Sequence, residues 1–95
     1  MSDMIDHAVK ALTAKLSGGF DGVAKFVIEG EGAIMLDHAG VRAGDEAADV
    51  TLTAEADVFR AILDGQMNPT MAFMSGKLAV DGNMGLALKL GSVLG

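Results

Sequence analysis

The sequence predicts an α+β domain in which a mainly antiparallel, five-stranded sheet is covered by helices. Three observations carry that expectation. Apolar residues from Asp3 to Leu16 recur at helical spacing, those between Ala24 and Thr53 alternate with a period of two, and the rest of the chain returns to helix around one short strand. The 95 residues contain one proline and no linker or repeat, so they make one domain with one core. Surface scaling at 9.7 kDa gives roughly 5,000 Å² of folded surface, a real core but a small one.

Ile5, Ala8, Val9, Leu12 and Leu16 form the buried stripe of the first helix, with Ser2 or Asp3 as its cap and Gly18-Gly19 as its stop. Ala24, Phe26 and Ile28 then alternate with Lys25, Val27 and Glu29, and Ala33 to Asp37 is a second strand beyond the turn at Gly30-Glu31-Gly32. Gly40 to Ala43 is a third strand. A fourth follows in which Val50 and Leu52 point one way and Thr51 and Thr53 the other, so the expected topology is an antiparallel meander. Thr53 caps a second helix whose first turn is acidic and whose buried stripe is Phe59, Ile62 and Leu63. Asn68-Pro69 opens a short third helix, Lys77 to Asp81 is a fifth strand, and Gly82-Asn83 caps a last helix with little polar face apart from Lys89.

Composition narrows the function. Seven Lys and Arg against thirteen Asp and Glu give a net charge of −6, which argues against nucleic acid or an anionic bilayer as the main partner. The absence of cysteine removes disulfides, thiol nucleophiles and thiolate metal sites. Acids at Asp3 and Asp6 stand where a signal peptide needs a basic start, and no apolar run approaches the ~18 residues of a membrane span. The expectation is a cytoplasmic protein.

No catalytic constellation emerges, and no cofactor or metal is expected. The two histidines are candidate bases, but His7 reads as a surface partner of Asp3 one helical turn earlier, and His38 follows Asp37 in a turn. Gly30-Glu31-Gly32 lacks the third glycine of a dinucleotide loop, and Gly76-Lys77 is followed by Leu78 where a phosphate loop needs Ser or Thr. Gly82-Asn83-Met84-Gly85 keeps an anion site open at a helix start, beside the plainer reading of an Asn cap.

What remains is apolar. Met67, Met71 and Met74 are spaced four and three, with Phe73 and Met84 close by. Such a stripe is ordinarily core. Methionine is also the residue that moulds to varied apolar shapes, and the last helix is apolar nearly all round in a chain too short to surround it, so a pocket is the second reading.

The run Asn68-Pro69-Thr70-Met71-Ala72-Phe73-Met74-Ser75-Gly76-Lys77-Leu78-Ala79-Val80-Asp81-Gly82-Asn83-Met84-Gly85-Leu86-Ala87-Leu88-Lys89-Leu90 resembles the C-terminal signature of the sterol carrier protein 2 family. Upstream, Ala48 to Thr53 and Phe59 to Gly65 continue the similarity, which covers essentially the whole chain. The resemblance implies an apolar tunnel enclosed by sheet and helices, and the binding and transfer of fatty acids, acyl-CoA, phospholipids or sterols without chemical change. Carried over by position, Phe73, Met74, Leu78, Met84 and Leu88 are the expected lining. Phe26, Ile34, Val50 and Leu52 are added from strand alternation. The end at Val93-Leu94-Gly95 differs from the peroxisomal address common in the family, and Ala79 and Asp81 stand where relatives often carry lysines. A lipid is thus the expected partner, with transient membrane contact open. The alternative is an interaction module whose apolar last helix meets a partner or a second copy. An enzyme using Asp37 and His38 is the third reading.

Overall fold

The computed structural model describes residues 3–16 and 19–94. The expected Ser2 cap, the Gly18 part of the helix stop and Gly95 lie outside the described residues. The elements run α1 (Asp3–Lys15), β1 (Ala24–Glu29), β2 (Gly32–Asp37), β3 (Gly40–Ala43), β4 (Val50–Glu55), α2 (Ala56–Leu63), α3 (Pro69–Met74), β5 (Leu78–Gly82) and α4 (Met84–Leu94). The fold is α+β with one five-stranded sheet, as the sequence predicts.

The meander holds only for the first three strands. The sheet order is β3-β2-β1-β4-β5, so β4 crosses over to pair with β1 and does so in parallel. The other pairings are antiparallel. Burial is consistent with the arrangement. β1 and β4 share one alternating pattern, with Ala24, Phe26 and Ile28 buried on the first and Val50, Leu52 and Ala54 on the second. Laid side by side, with β1 at the centre of the sheet and β4 next to it, they put six buried side chains on one face. The tight β1–β2 turn needs Gly30, whose φ of 80° lies in the left-handed region.

All four helices contribute to the core on that face. α1 supplies Met4, Ile5, Ala8 and Leu12, and α2 supplies Phe59, Ile62 and Leu63. Phe59 meets Phe26 with ring centroids 5.2 Å apart, a tilted aromatic contact. The opposite face is more polar, with Lys25, Thr51, Thr53 and Asp81, and Lys25 reaches Asp45 at 2.8 Å across it. The total surface is 5106 Å², close to the scaling expectation. α2 begins two residues later than its acidic turn suggests, because β4 continues to Glu55, and Thr53 is a strand residue and no cap.

Candidate functional site

The sheet ends at β5, and the segment after Met67 builds a site over that edge. Asn68 starts α3 by accepting the Thr70 and Met71 amides at 2.8 and 3.3 Å on its Oδ1, and Pro69 takes the first helical position, where it needs no donor. α3 buries only Pro69 and Ala72. β5 follows, with Leu78 and Val80 on the core face. Gly82, at φ 105°, lets the chain turn past β4, since a Cβ there would collide with the Asp49 carbonyl. Asn83 fixes the entry to α4: its amide donates to the Asp49 carbonyl at 2.9 Å, and its Oδ1 accepts from the Leu86 amide at 3.1 Å. The side chain thereby fills the helix start as an ordinary cap.

Between α3, α4 and the sheet edge lies a cavity of about 80 Å³. Its floor is Leu52, Leu78 and Val80, one wall is Pro69, Thr70 and Phe73, and α4 roofs it with Met84, Ala87, Leu88, Gly91 and Leu94. No charged residue lines it, and the Thr70 hydroxyl is its one polar side-chain group. Leu90 and Leu94 anchor α4 into the core, while Leu88 remains 68% exposed at the cavity mouth. Midway along α4, Lys89 reaches Asp21 at 3.3 Å, an exposed ion pair of small energetic weight.

The structure brings together Phe73, Leu78, Met84, Leu88 and Leu52 of the residues singled out in sequence. Four others lie elsewhere. Met74 points outward from α3 at 80% exposure. Phe26, Ile34 and Val50 are fully buried in the main core. The register shows why: Ile34, Phe26, Leu52 and Val80 form one row across the sheet, and only its β4–β5 end reaches the cavity. Pro69, Thr70, Val80, Ala87, Gly91 and Leu94 were missed. Val80 carried an alternation signal, whereas the small residues of α4 gave none.

A second hollow, about 460 Å³, opens beside the α2 start and is lined by Glu29, Glu55, Asp57, Lys77, Gly76, Val58 and Met67. It is the larger space, but three carboxylates in its wall make it a poor place for an apolar chain. His7 is exposed on α1 and His38 is exposed in the β2–β3 turn. Asp37 accepts from Arg42 at 2.9 Å, and that bond holds its carboxyl below the usual carboxylate range. Among the described residues no group of three or more His, Cys, Asp or Glu is placed to hold a metal ion, and no helix is long and apolar enough to cross a membrane.

Fold and site together define an α+β domain with an open sheet and an uncharged apolar cavity under its last helix. The chain belongs to the SCP-2 sterol transfer family, whose model matches residues 4–95. It is 45% identical over 82 residues to hydroxysteroid dehydrogenase-like protein 2 of Xenopus tropicalis, covering 78% of this chain and 20% of that protein. Human sterol carrier protein 2 is 52% identical over 46 residues, 48% of this chain and 8% of that protein. The chain thus spans about a fifth or less of these relatives. Among solved structures, sterol carrier protein 2 of Aedes aegypti in complex with palmitate superposes with a TM-score of 0.79 at 26% identity, over 99% of this chain and 96% of that one. The sterol carrier protein 2 like 2 structure from Aedes aegypti gives a TM-score of 0.80 at 24% identity, over 95% of both chains.

Proposed function

We propose that this protein is a non-enzymatic carrier that binds a fatty acid or similar single-chain lipid in the cavity beneath α4 and moves it without altering it. The observation that carries the reading is the uncharged lining at the β5 edge, in a fold shared with a palmitate-bound relative. The physics is shape-tolerant burial. About 15 methylenes contribute about 12 kcal/mol gross, against about 4–15 kcal/mol for lost translation and rotation. The surplus suffices for useful and unselective binding. With no group placed to read a sterol hydroxyl apart from Thr70, the acyl chain is the favoured cargo.

Pockets for small molecules usually measure about 300–1,000 Å³, so a cavity of about 80 Å³ receives the end of a chain and not its length. Uptake therefore requires α4 to move outward. Titration with palmitate tests the reading: the wild type saturates at one equivalent, and Ala87→Phe, which fills the cavity from α4, weakens binding about tenfold or more, by displacing buried methylenes. Undiminished affinity in that variant would place the ligand elsewhere.

A further inference from the structure

We propose that the outer faces of α3 and α4 dock the protein on a lipid surface, held there by apolar contact and not by charge attraction. The inference rests on the carrier reading, because the docking face is the mouth of the cavity. Among the described residues, the exposed large hydrophobic side chains are Met71, Phe73, Met74, Met84, Leu88 and Val93. All six fall on α3 and α4, and five of them form the docking face, since Val93, nine residues after Met84 and one turn after Lys89, lies on the other side of α4. Phe73, Met84 and Leu88 also line the cavity, so patch and mouth are continuous. A cargo leaving between these side chains enters a bilayer without crossing water. A contiguous apolar patch of this kind marks an interaction site.

Charge separates this face from the rest of the molecule. From Gly65 onward the sequence carries only Lys77, Asp81 and Lys89, against a whole-chain charge of −6. Asp81 falls on the sheet face opposite Leu78 and Val80, and pairs in register with Thr51. The acidic body is repelled by an anionic surface, whereas the apolar collar has nothing to lose there. α1 cannot take its place, since its exposed side presents Asp3, Asp6, His7, Lys10 and Lys15, both signs of charge and no apolar stripe. A protein partner is disfavoured by composition. Binding hot spots are rich in Trp, Tyr and Arg, but the chain has no Trp or Tyr, and Arg42 and Arg60 stand on β3 and α2. Methionine and leucine without such anchors suit a fluid acyl surface.

Flotation with phosphatidylcholine vesicles tests the proposal, using Met71→Gln combined with Met74→Gln. Both methionines are mostly solvent-exposed and outside the cavity wall, so the variant keeps its fold by circular dichroism and its palmitate affinity in vesicle-free solution. Wild-type protein floats with the vesicles, the double variant loses about tenfold or more of that binding, and neither phosphatidylserine nor low salt strengthens it. Absence of wild-type flotation, full flotation of the double variant, or binding that requires phosphatidylserine and is released by salt would overturn the proposal. A lipid-free dimer that the double variant dissolves, with no flotation, assigns the face to a second copy and overturns it equally. Methionine-dependent flotation without palmitate uptake upholds the docking face and defeats the carrier reading instead.

Discussion

Phe59 and Phe73 are both phenylalanines on short helices, yet they do different things. Phe59 is 2% exposed and packs on Phe26, so Phe59→Ala is expected to cost about 3–5 kcal/mol of stability. Phe73 is 42% exposed at the cavity mouth, so Phe73→Ala should cost only about 1 kcal/mol and show instead as weakened palmitate binding. Urea melts paired with titrations check both, and equal stability losses would make Phe73 a core residue. At the β2–β3 turn, Asp37 is held in its charged form by Arg42. Its carboxyl titrates lower folded than unfolded, so the pair's stabilisation is present above the ordinary aspartate value of about 4 and disappears as pH falls through the lowered value. Thermal melts should therefore show wild type above Asp37→Asn at neutral pH, with the gap closing in acid. A gap independent of pH would show that the pair does not act through charge.

At the scale of elements, α4 is the part expected to move. It carries Gly85 and Gly91 within eleven residues, and a helical glycine costs about 1 kcal/mol relative to alanine. A Cβ at Gly91 meets nothing within 4 Å. Gly91→Ala is therefore expected to raise stability by about 0.5–1 kcal/mol, to slow amide exchange across Met84–Leu94, and to slow palmitate uptake. Faster or unchanged uptake with a stiffer helix would mean that α4 does not gate the cavity. The elements themselves were legible, although α2 starts two residues later than its acidic turn suggests, and Asn68-Pro69 and Asn83 marked two helix starts. Two features were not legible, for physical reasons. β1 and β4 show the same alternation whichever neighbour they take, so the parallel pairing followed from no local signal. Met67, Met71 and Met74 form one stripe by spacing, but a six-residue helix buries Pro69 and Ala72 instead and turns Met71 and Met74 outward. Spacing identifies a face and does not say which way it looks. For the same reason alternation offered Phe26, Ile34, Val50 and Leu52 as lining, while the position of the helices above decided that only Leu52 meets the cavity.

At the scale of the molecule, an acidic chain of 95 residues combines a closed core under α1 and α2 with a looser, uncharged site under α3 and α4 at one sheet edge. The two parts share Leu52, Leu78 and Leu94, which belong to the core cluster and also line the cavity. The resemblance in the run from Asn68 to Leu90 covers the elements that surround the cavity, whereas four of the nine residues expected to line it lie elsewhere. Native mass spectrometry of the 9.7 kDa chain incubated with palmitate tests the central claim most directly. One fatty acid retained per chain, displaced by a second single-chain lipid, is the predicted result. A chain that stays at its unliganded mass after exposure to fatty acids, acyl-CoA and phospholipid would contradict it.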